Sequence, residues 1–541
     1  MPEAPEPVRA LLSEALTARA TLLLALTGAA LCVLKLVRED ALWLDEAAIA
    51  LNLQQKGLWE LLTRPLAWDQ VAPPGFLLVS KLLVSALGSA EWVLHLPATA
   101  CAIGLLFAFR DVAHRLFPGP ARLLAVLAVA LAPAVYFLSA QAKQYAGDGL
   151  AVVLVLRAAL LLEEDRTPSR RRLWGLAALG VALALSSMPG VLALTASGAV
   201  LLGLALVRRD GTALRARAPV VAAWALGCGA MALWSLSTVS PATRAYMQRF
   251  WSEGMPGFPP PTSTALQWLG FTHFKVTEAL IAFPLPAVQL AVLALGLLLL
   301  LRRRPAAALL LLGPYVLAYA LALARVYPLS ERTMAFLVFP MLLVHTAGAA
   351  WLVERAWAWR RGAGFLVAAL ALAGPVTAVA SRQATQSREP TRKVFEQLAK
   401  EWKPGDAVYL THWAGLTYDY YRERLGLPRE GVTYGGCHHP EWRESLVELD
   451  AFRGQKRVWF VVTNGTPYFE SATAYLDAIG RRAGHWPFVN QGYQFPASLH
   501  LYDLSDPRAL ASADAATFPL QLGRRKHGAW YCDGPLTPLQ P

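Results

Sequence analysis

The chain has 541 residues, 55% of them hydrophobic and 16% charged, with a mean hydropathy of +0.39. Many separate runs of about 17–20 apolar residues are each long enough to cross a bilayer as a helix, so the composition excludes an ordinary soluble globule and indicates a polytopic membrane protein. A formal charge of +13 would suggest nucleic acid in a soluble domain. Here most Arg falls in short clusters between apolar runs, which reads as an orientation signal facing the cytoplasm and leaves no nucleic-acid partner.

The first run, near Thr21 to Val37, is followed by no small-residue cleavage site and reads as a retained span rather than a signal peptide. Arg110 and Arg115, Arg166 and Arg170-Arg171-Arg172, Arg208-Arg209 with Arg215 and Arg217, Arg302-Arg303-Arg304, and Arg355 with Arg360-Arg361 are placed inside. Spans are then expected near 18–37, 94–110, 121–139, 149–163, 172–188, 190–207, 218–237, 281–301, 306–324, 333–353 and 364–380. That gives about eleven crossings, with the N-terminus inside and the tail outside. Residues 74–88 are apolar but short and carry Lys81, and a crossing there would invert the Arg pattern. They are read as an interfacial helix lying on the outer surface, with a re-entrant hairpin as the alternative.

This topology gathers the polar and aromatic pieces on the outer face. They are the first loop, 38–93, the segment 139–148, the turn from Ser186 to Gly190, a long loop over 238–280 and the turn 325–332. A loop as long as 238–280 suits a substrate gate or cover. Beyond residue 381 the pattern changes. Ala407 to Leu410, Arg457 to Val462 and Ser498 to Tyr502 read as strands, and Leu416 to Arg424 as a helix. The expected organisation is a transmembrane domain over 1–380 and a small extracytoplasmic α/β domain over 381–541.

Asp45 and Glu46 lie beside Trp43 at the expected membrane surface, where acids are costly. Such a pair could bind a divalent cation, orient each other, or divide into base and helper. The structural alternative is that Asp45 merely caps the helix that follows. Lys143, Gln144, Tyr145 and Asp148 cluster at a span end, where Lys143 could anchor at headgroups or bind a lipid phosphate oxygen. Arg325 and Arg332 break the inside rule and could anchor at headgroups or clamp a phosphate. His438-His439 near Cys437 has no second ligand pair at zinc spacing, so no metal site is assigned. Cys437 and Cys532 share an oxidising compartment in this topology and could pair. Cys32, Cys101 and Cys228 lie in apolar runs as small packing residues. No Walker loop, dinucleotide fingerprint, Gly-x-Ser-x-Gly elbow or His-Glu-x-x-His is present.

Trp43-Leu44-Asp45-Glu46, Asp69-Gln70-x-x-Pro73-Pro74, Leu96-Pro97 and Lys143-Gln144-Tyr145-x-x-Asp148, in that order, resemble bacterial membrane glycosyltransferases of the protein O-mannosyltransferase and aminoarabinose transferase group. The resemblance covers roughly residues 20–380. It implies the GT-C fold and transfer of a sugar from a polyprenyl-phosphate donor to an acceptor outside the membrane. It also implies Asp45 as base, two surface helices in the first outer loop and a functional loop after the seventh span. Aminoarabinose transferases carry a lysine before the double proline that contacts the donor phosphate. This chain has Ala72 there, which shifts phosphate binding toward Lys143 or an arginine.

The expected activity is therefore inverting transfer from a polyprenyl-phosphate sugar to a cell-envelope hydroxyl at a bacterial inner membrane. Asp45 is the base, and Lys143, Arg325 and Arg332 are the phosphate ligands. Glu46 and Asp148 orient sugar, acceptor or a cation, and Asp69, Gln70, Gln144 and Tyr145 complete the substrate site. The rival is a transporter or flippase of lipid-linked sugars, for which Arg157 and His345 are the main internal polar residues. A third reading is a binding or scaffold protein whose tail recognises a polymer.

Overall fold

The computed structural model describes residues 13–522 except 39, 166, 258–266, 271, 275–284, 331, 381–388, 439–440, 465, 467 and 489–495. In chain order the first helices are α1 (Glu14–Val37), α2 (Leu44–Gln55), α3 (Leu58–Thr63), α4 (Pro74–Leu87), α5 (Glu91–Leu116), α6 (Gly119–Ala130), α7 (Pro133–Ser139) and α8 (Tyr145–Glu164). They are followed by α9 (Arg170–Ser186), α10 (Met188–Val207), α11 (Gly211–Thr238), α12 (Pro241–Phe250), α13 (Pro286–Arg303), α14 (Pro305–Leu323), α15 (Val338–Trp359) and α16 (Arg361–Ala380). The tail adds α17 (Thr391–Glu401), β1 (Ala407–Leu410), α18 (Gly415–Leu425), β2 (Val432–Tyr434), α19 (Glu444–Asp450), β3 (Val458–Val462), α20 (Phe469–Ile479), β4 (Arg481–Phe488), β5 (Ala497–Asp503) and α21 (Pro507–Leu510).

The helix starts follow from local chemistry. Ser169, Ser187, Asp210 and Ser240 accept from the amides of Arg172, Gly190, Ala213 and Thr243, capping α9 to α12. Proline occupies the first turn of α4, α6, α7 and α14, where its missing N–H costs nothing. Among the described residues seven helices are long and apolar enough to cross a membrane, or eight if α6 and α7, bent by 42°, form one broken span. The helices α9, α13 and α16 cover further expected spans without meeting that measure. The helix over 74–87 has 14 residues, too short to cross upright.

The chain divides into two compact units. The first takes 58–65 and 71–385 together with the N-terminal stretch. Several of its arginines gather in one cluster. Arg115 pairs with Glu164 at 3.0 Å, Arg157 with Asp111 at 2.6 Å and Arg208 with Glu163 at 2.8 Å. Arg304 donates to the Arg115 carbonyl at 2.6 Å. Buried Arg217 donates to the carbonyls of Leu162 and Glu163, which end α8, and to Leu201. The ends of α5, α8, α10, α11 and α14 thus meet at one side of this unit. Arg157, bound into this cluster, is an ion-pair partner.

At the other side, Trp234 of α11 donates to the Leu62 carbonyl of α3 at 2.8 Å. A Cβ at Gly75 would lie 2.3 Å from Ser186 Oγ, so only glycine lets α4 approach the end of α9 this closely.

The second unit takes 386–541 and two earlier stretches, 40–57 and 66–70, which the composition groups with the membrane part. Its sheet has the order β2-β1-β3-β5-β4, with β1 parallel to β2 and β3, and β5 antiparallel to β3 and β4. Tyr409, Phe460 and Val462 face a core built with Leu446, Leu449, Tyr475 and Leu476 of α19 and α20, while α17 packs on β5 and against α18. The strands over 407–410, 458–462 and 497–503 and the helix over 415–425 lie where the apolar runs put them. Cys437 is disulfide-bonded. Cys532 and His439 lie outside the described residues, as does the Pro-rich part of the long loop.

Candidate functional site

Asp45 and Glu46 occupy the first turn of α2, where the helix dipole favours negative charge. The capping alternative falls to the neighbour. Trp43 is the N-cap residue, and its amide donates to Glu46 Oε2 at 3.3 Å. Glu46 is buried and Asp45 half-buried.

The preceding residue pair ties this helix to the α/β unit. The Leu42 amide donates to the Tyr421 hydroxyl at 3.1 Å, and the Thr391 hydroxyl donates to the Leu42 carbonyl at 2.6 Å. α2 packs along α18, and Leu44 joins the apolar core of the sheet.

Asn52, which the sequence did not single out, links α2 to the second motif. Its amide donates to the carbonyls of Ala48 and Ala67, and its oxygen accepts from the Ala67 amide at 2.9 Å. Trp68 and Asp69 directly follow, both with left-handed φ, 56° and 52°. Two such residues in succession are costly and persist only where surrounding structure holds them. Gln70 Nε2 donates to the Trp68 carbonyl at 3.0 Å. Asp45, Glu46, Asp69 and Gln70 thus belong to the same unit, fixed to one another through Asn52 and the backbone of α2.

The remaining predicted residues belong to the helical unit. Lys143 is buried in the turn between α7 and α8, and Gln144 and Tyr145 are half-buried. Gln141, 3% exposed, has both side-chain amide atoms without a hydrogen-bond partner among the described residues, as has Gln144 Oε1. Asp148, buried in the first turn of α8, accepts from Ser187 Oγ at 2.6 Å. Burial, with the charge of Asp148 and Tyr145 beside it, pushes the Tyr327 hydroxyl well above its usual range. Tyr327 lies in the turn that holds Arg325 and Arg332, and the short helix Ala335–Leu337 that follows this turn packs on α8.

That turn is braced by the long loop. The Leu329 amide donates to the Gly254 carbonyl at 3.1 Å, and Arg325 Nη2 reaches the Pro256 carbonyl at 3.5 Å. A Cβ on Gly257, whose φ is +84°, would lie 2.7 Å from Arg325 Nε. Arg332 lies over the Trp251 ring at 5.8 Å. Arg325 itself is exposed and left-handed, φ 57°. Among the described residues no group of three or more His, Cys, Asp and Glu could hold a metal ion.

No protein-family model matches the sequence, and no curated protein matches it. Solved structures do. ArnT from Cupriavidus metallidurans bound to undecaprenyl phosphate matches with a TM-score of 0.53 at 14% identity, over 89% of this chain and 97% of that one. The Archaeoglobus fulgidus oligosaccharyltransferase in complex with zinc and sulfate matches with a TM-score of 0.52 at 14% identity, over 90% of this chain and 73% of that one. The archaeal oligosaccharyltransferase AglB of the same organism, with an inhibitory peptide and a dolichol phosphate, gives 0.50 at 12% identity, over 89% and 74%. The chain is a multi-pass membrane protein with the GT-C fold and a small C-terminal sheet region.

Proposed function

We propose that this GT-C chain transfers a sugar from a polyprenyl-phosphate donor to a hydroxyl of a cell-envelope acceptor, with inversion. The observation that carries the reading is the likeness of fold over nine-tenths of the chain to proteins solved with undecaprenyl phosphate and dolichol phosphate. The site chemistry supports it. A glycosidase needs a second carboxylic acid to protonate its leaving alkoxide, whereas a polyprenyl phosphate leaves as a stable anion, so one base suffices. Asp45 takes the proton of the acceptor hydroxyl, the oxygen attacks the anomeric carbon, and the bond from that carbon to the phosphate oxygen breaks.

Lys143, Arg325 and Arg332 stabilise the departing phosphate. Asp148, held by Ser187, meets a sugar hydroxyl together with Gln144 and Tyr145. Glu46, engaged with the Trp43 amide, positions Asp45, and Asp69 and Gln70 line the substrate path. The side gathering Arg115, Arg208 and Arg304 faces the cytoplasm under the positive-inside rule, and the α/β unit then lies in the periplasm of a bacterial inner membrane. Purified protein in detergent, given a radiolabelled polyprenyl-phosphate sugar and an envelope glycan, is expected to release polyprenyl phosphate and label the glycan. Failure of the wild-type chain to turn over any such donor, with transport of the intact lipid in proteoliposomes instead, would replace the transferase by a flippase.

A further inference from the structure

β1 and β3 run parallel and adjacent, but the chain leaves β1 for β2 on one side and returns to β3 on the other. Their carboxyl ends form a topological switch point, the place where open parallel sheets leave a crevice for ligands. Thr411 and His412 follow β1, and Thr463 and Asn464 follow β3; each is more than nine-tenths buried. The Thr411 amide donates to the Val461 carbonyl at 3.0 Å, so the two tips stay in register beyond the strands. Thr411 Oγ1, His412 Nδ1, Thr463 Oγ1 and Asn464 Oδ1 have no hydrogen-bond partner among the described residues. Buried polar atoms are nearly always paired, so four unpaired atoms on two neighbouring tips call for partners from outside the chain. Asn464 is also held at a left-handed φ of 54°, the kind of strain that clusters at ligand sites.

The four groups are two hydroxyls, an amide and an imidazole that burial draws down to about 4, so none carries charge at neutral pH. Glu448, whose charge reaches His412, is taken up by the Tyr409 hydroxyl, the Gly436 amide and His438. Trp413 stands edge-on to His412 at 5.5 Å and lies 6.1 Å from Trp442. Uncharged donors and acceptors suit the hydroxyl edges of a sugar, and the buried core tryptophans Trp413 and Trp442 behind them give the tips an apolar backing. With no cation among the four to pair a phosphate, and a single histidine where a metal takes several ligands, a neutral ligand fits better. Leu44, the residue before Asp45, packs on the same cluster as Trp413 and Trp442.

We infer that the carboxyl ends of β1 and β3 form a subsite for a neutral carbohydrate, which holds the acceptor beside the helix that carries Asp45. This identifies the acceptor class and rests on the transferase reading. The test uses the full-length protein in lipid nanodiscs, titrated with mannotriose, with cellohexaose and with trigalacturonate while tryptophan fluorescence is followed. Binding of undecaprenyl phosphate is measured in parallel. Saturable binding of a neutral saccharide in preference to the uronate is expected, weakened about tenfold by Thr463→Val and restored in Thr463→Ser. Absence of neutral-saccharide binding in wild-type protein that binds undecaprenyl phosphate overturns the subsite. So does preference for the uronate, or binding that Thr463→Val and Thr411→Val both leave unchanged. Saccharide binding without undecaprenyl phosphate binding keeps the subsite and removes the transferase reading, and absence of both removes both.

Discussion

Asn52 grips Ala67 from both sides, donating to its carbonyl at 3.3 Å and accepting from its amide at 2.9 Å. The grip fixes the left-handed pair Trp68 and Asp69 to the helix whose first turn carries Asp45. Asn52→Leu removes both bonds at a fully buried position and strands two backbone groups, a loss of about 1–3 kcal/mol. We expect a lower Tm in scanning fluorimetry and transfer reduced far more than donor binding. Unchanged Tm and transfer would mean that the loop is held by other means.

Asp45 and Glu46 are adjacent but have different tasks, and substitution separates them. Asp45→Asn is expected to cut transfer by at least about 10²-fold, the range of a lost general base, while Tm holds. Glu46→Ala removes the acceptor of the Trp43 amide and is expected to cost about 0.5–2 kcal/mol, with Glu46→Gln recovering most of it because an amide oxygen also accepts. Near-normal turnover in Asp45→Asn would remove the proposed base.

Arg325 combines an exposed guanidinium with a left-handed backbone. Arg325→Gly relieves the conformational cost while deleting the charge. The expected signature is a Tm equal to or above wild type, with weaker binding of undecaprenyl phosphate that is less sensitive to salt. Equal affinity and salt dependence in the two proteins would assign Arg325 to bracing the loop at Gly257 alone.

Much of this architecture was readable because it rests on local signals. The runs at 407–410 and 458–462 became strands because they are apolar and buried on both faces, and 497–503 is buried likewise although Ser498 and His500 alternate with its apolar residues. β2 and β4 escaped notice because edge strands need no such pattern: β2 has three residues, and β4 opens with Arg481-Arg482 and contains Pro487. Arg217 shows the same limit. Its place in an arginine cluster suggests a topological marker, whereas its guanidinium is buried and ties the end of α8 to α10 and α11. In the site, Asp45 and Lys143 stood out as charges where charge is costly. The attachment of residues 40–57 to the tail did not, because Thr391 and Tyr421 meet Leu42 across more than three hundred residues, and no periodicity encodes such a contact.

The α/β unit carries its own acid sensitivity. Burial lowers His500 to about 3, helped by His485 stacked on it at 4.5 Å and by Arg482. Burial likewise draws His412 to about 4. An unfolded histidine titrates near 6.5, so the unfolded chain binds protons that the folded unit refuses. Stability is therefore full above about pH 6.5 and falls as pH drops toward 4. Asp406 adds a second, more acidic loss. Burial alone would raise it, but the Arg457 guanidinium, the Trp459 indole and the Lys403 amide hold it below the usual carboxylate range. Its contribution is present at neutral pH and disappears as pH falls through that depressed value. Hydrogen exchange on the full-length protein should show β3 and β5 losing protection from pH 6.5 to 4. His500→Phe fits among Phe460, Phe469 and Tyr502 and is expected to flatten that slope, while Asp406→Asn lowers stability already at neutral pH and removes only the more acidic part of the loss. An unaltered slope in His500→Phe would show that the buried imidazole is not the group that senses acid.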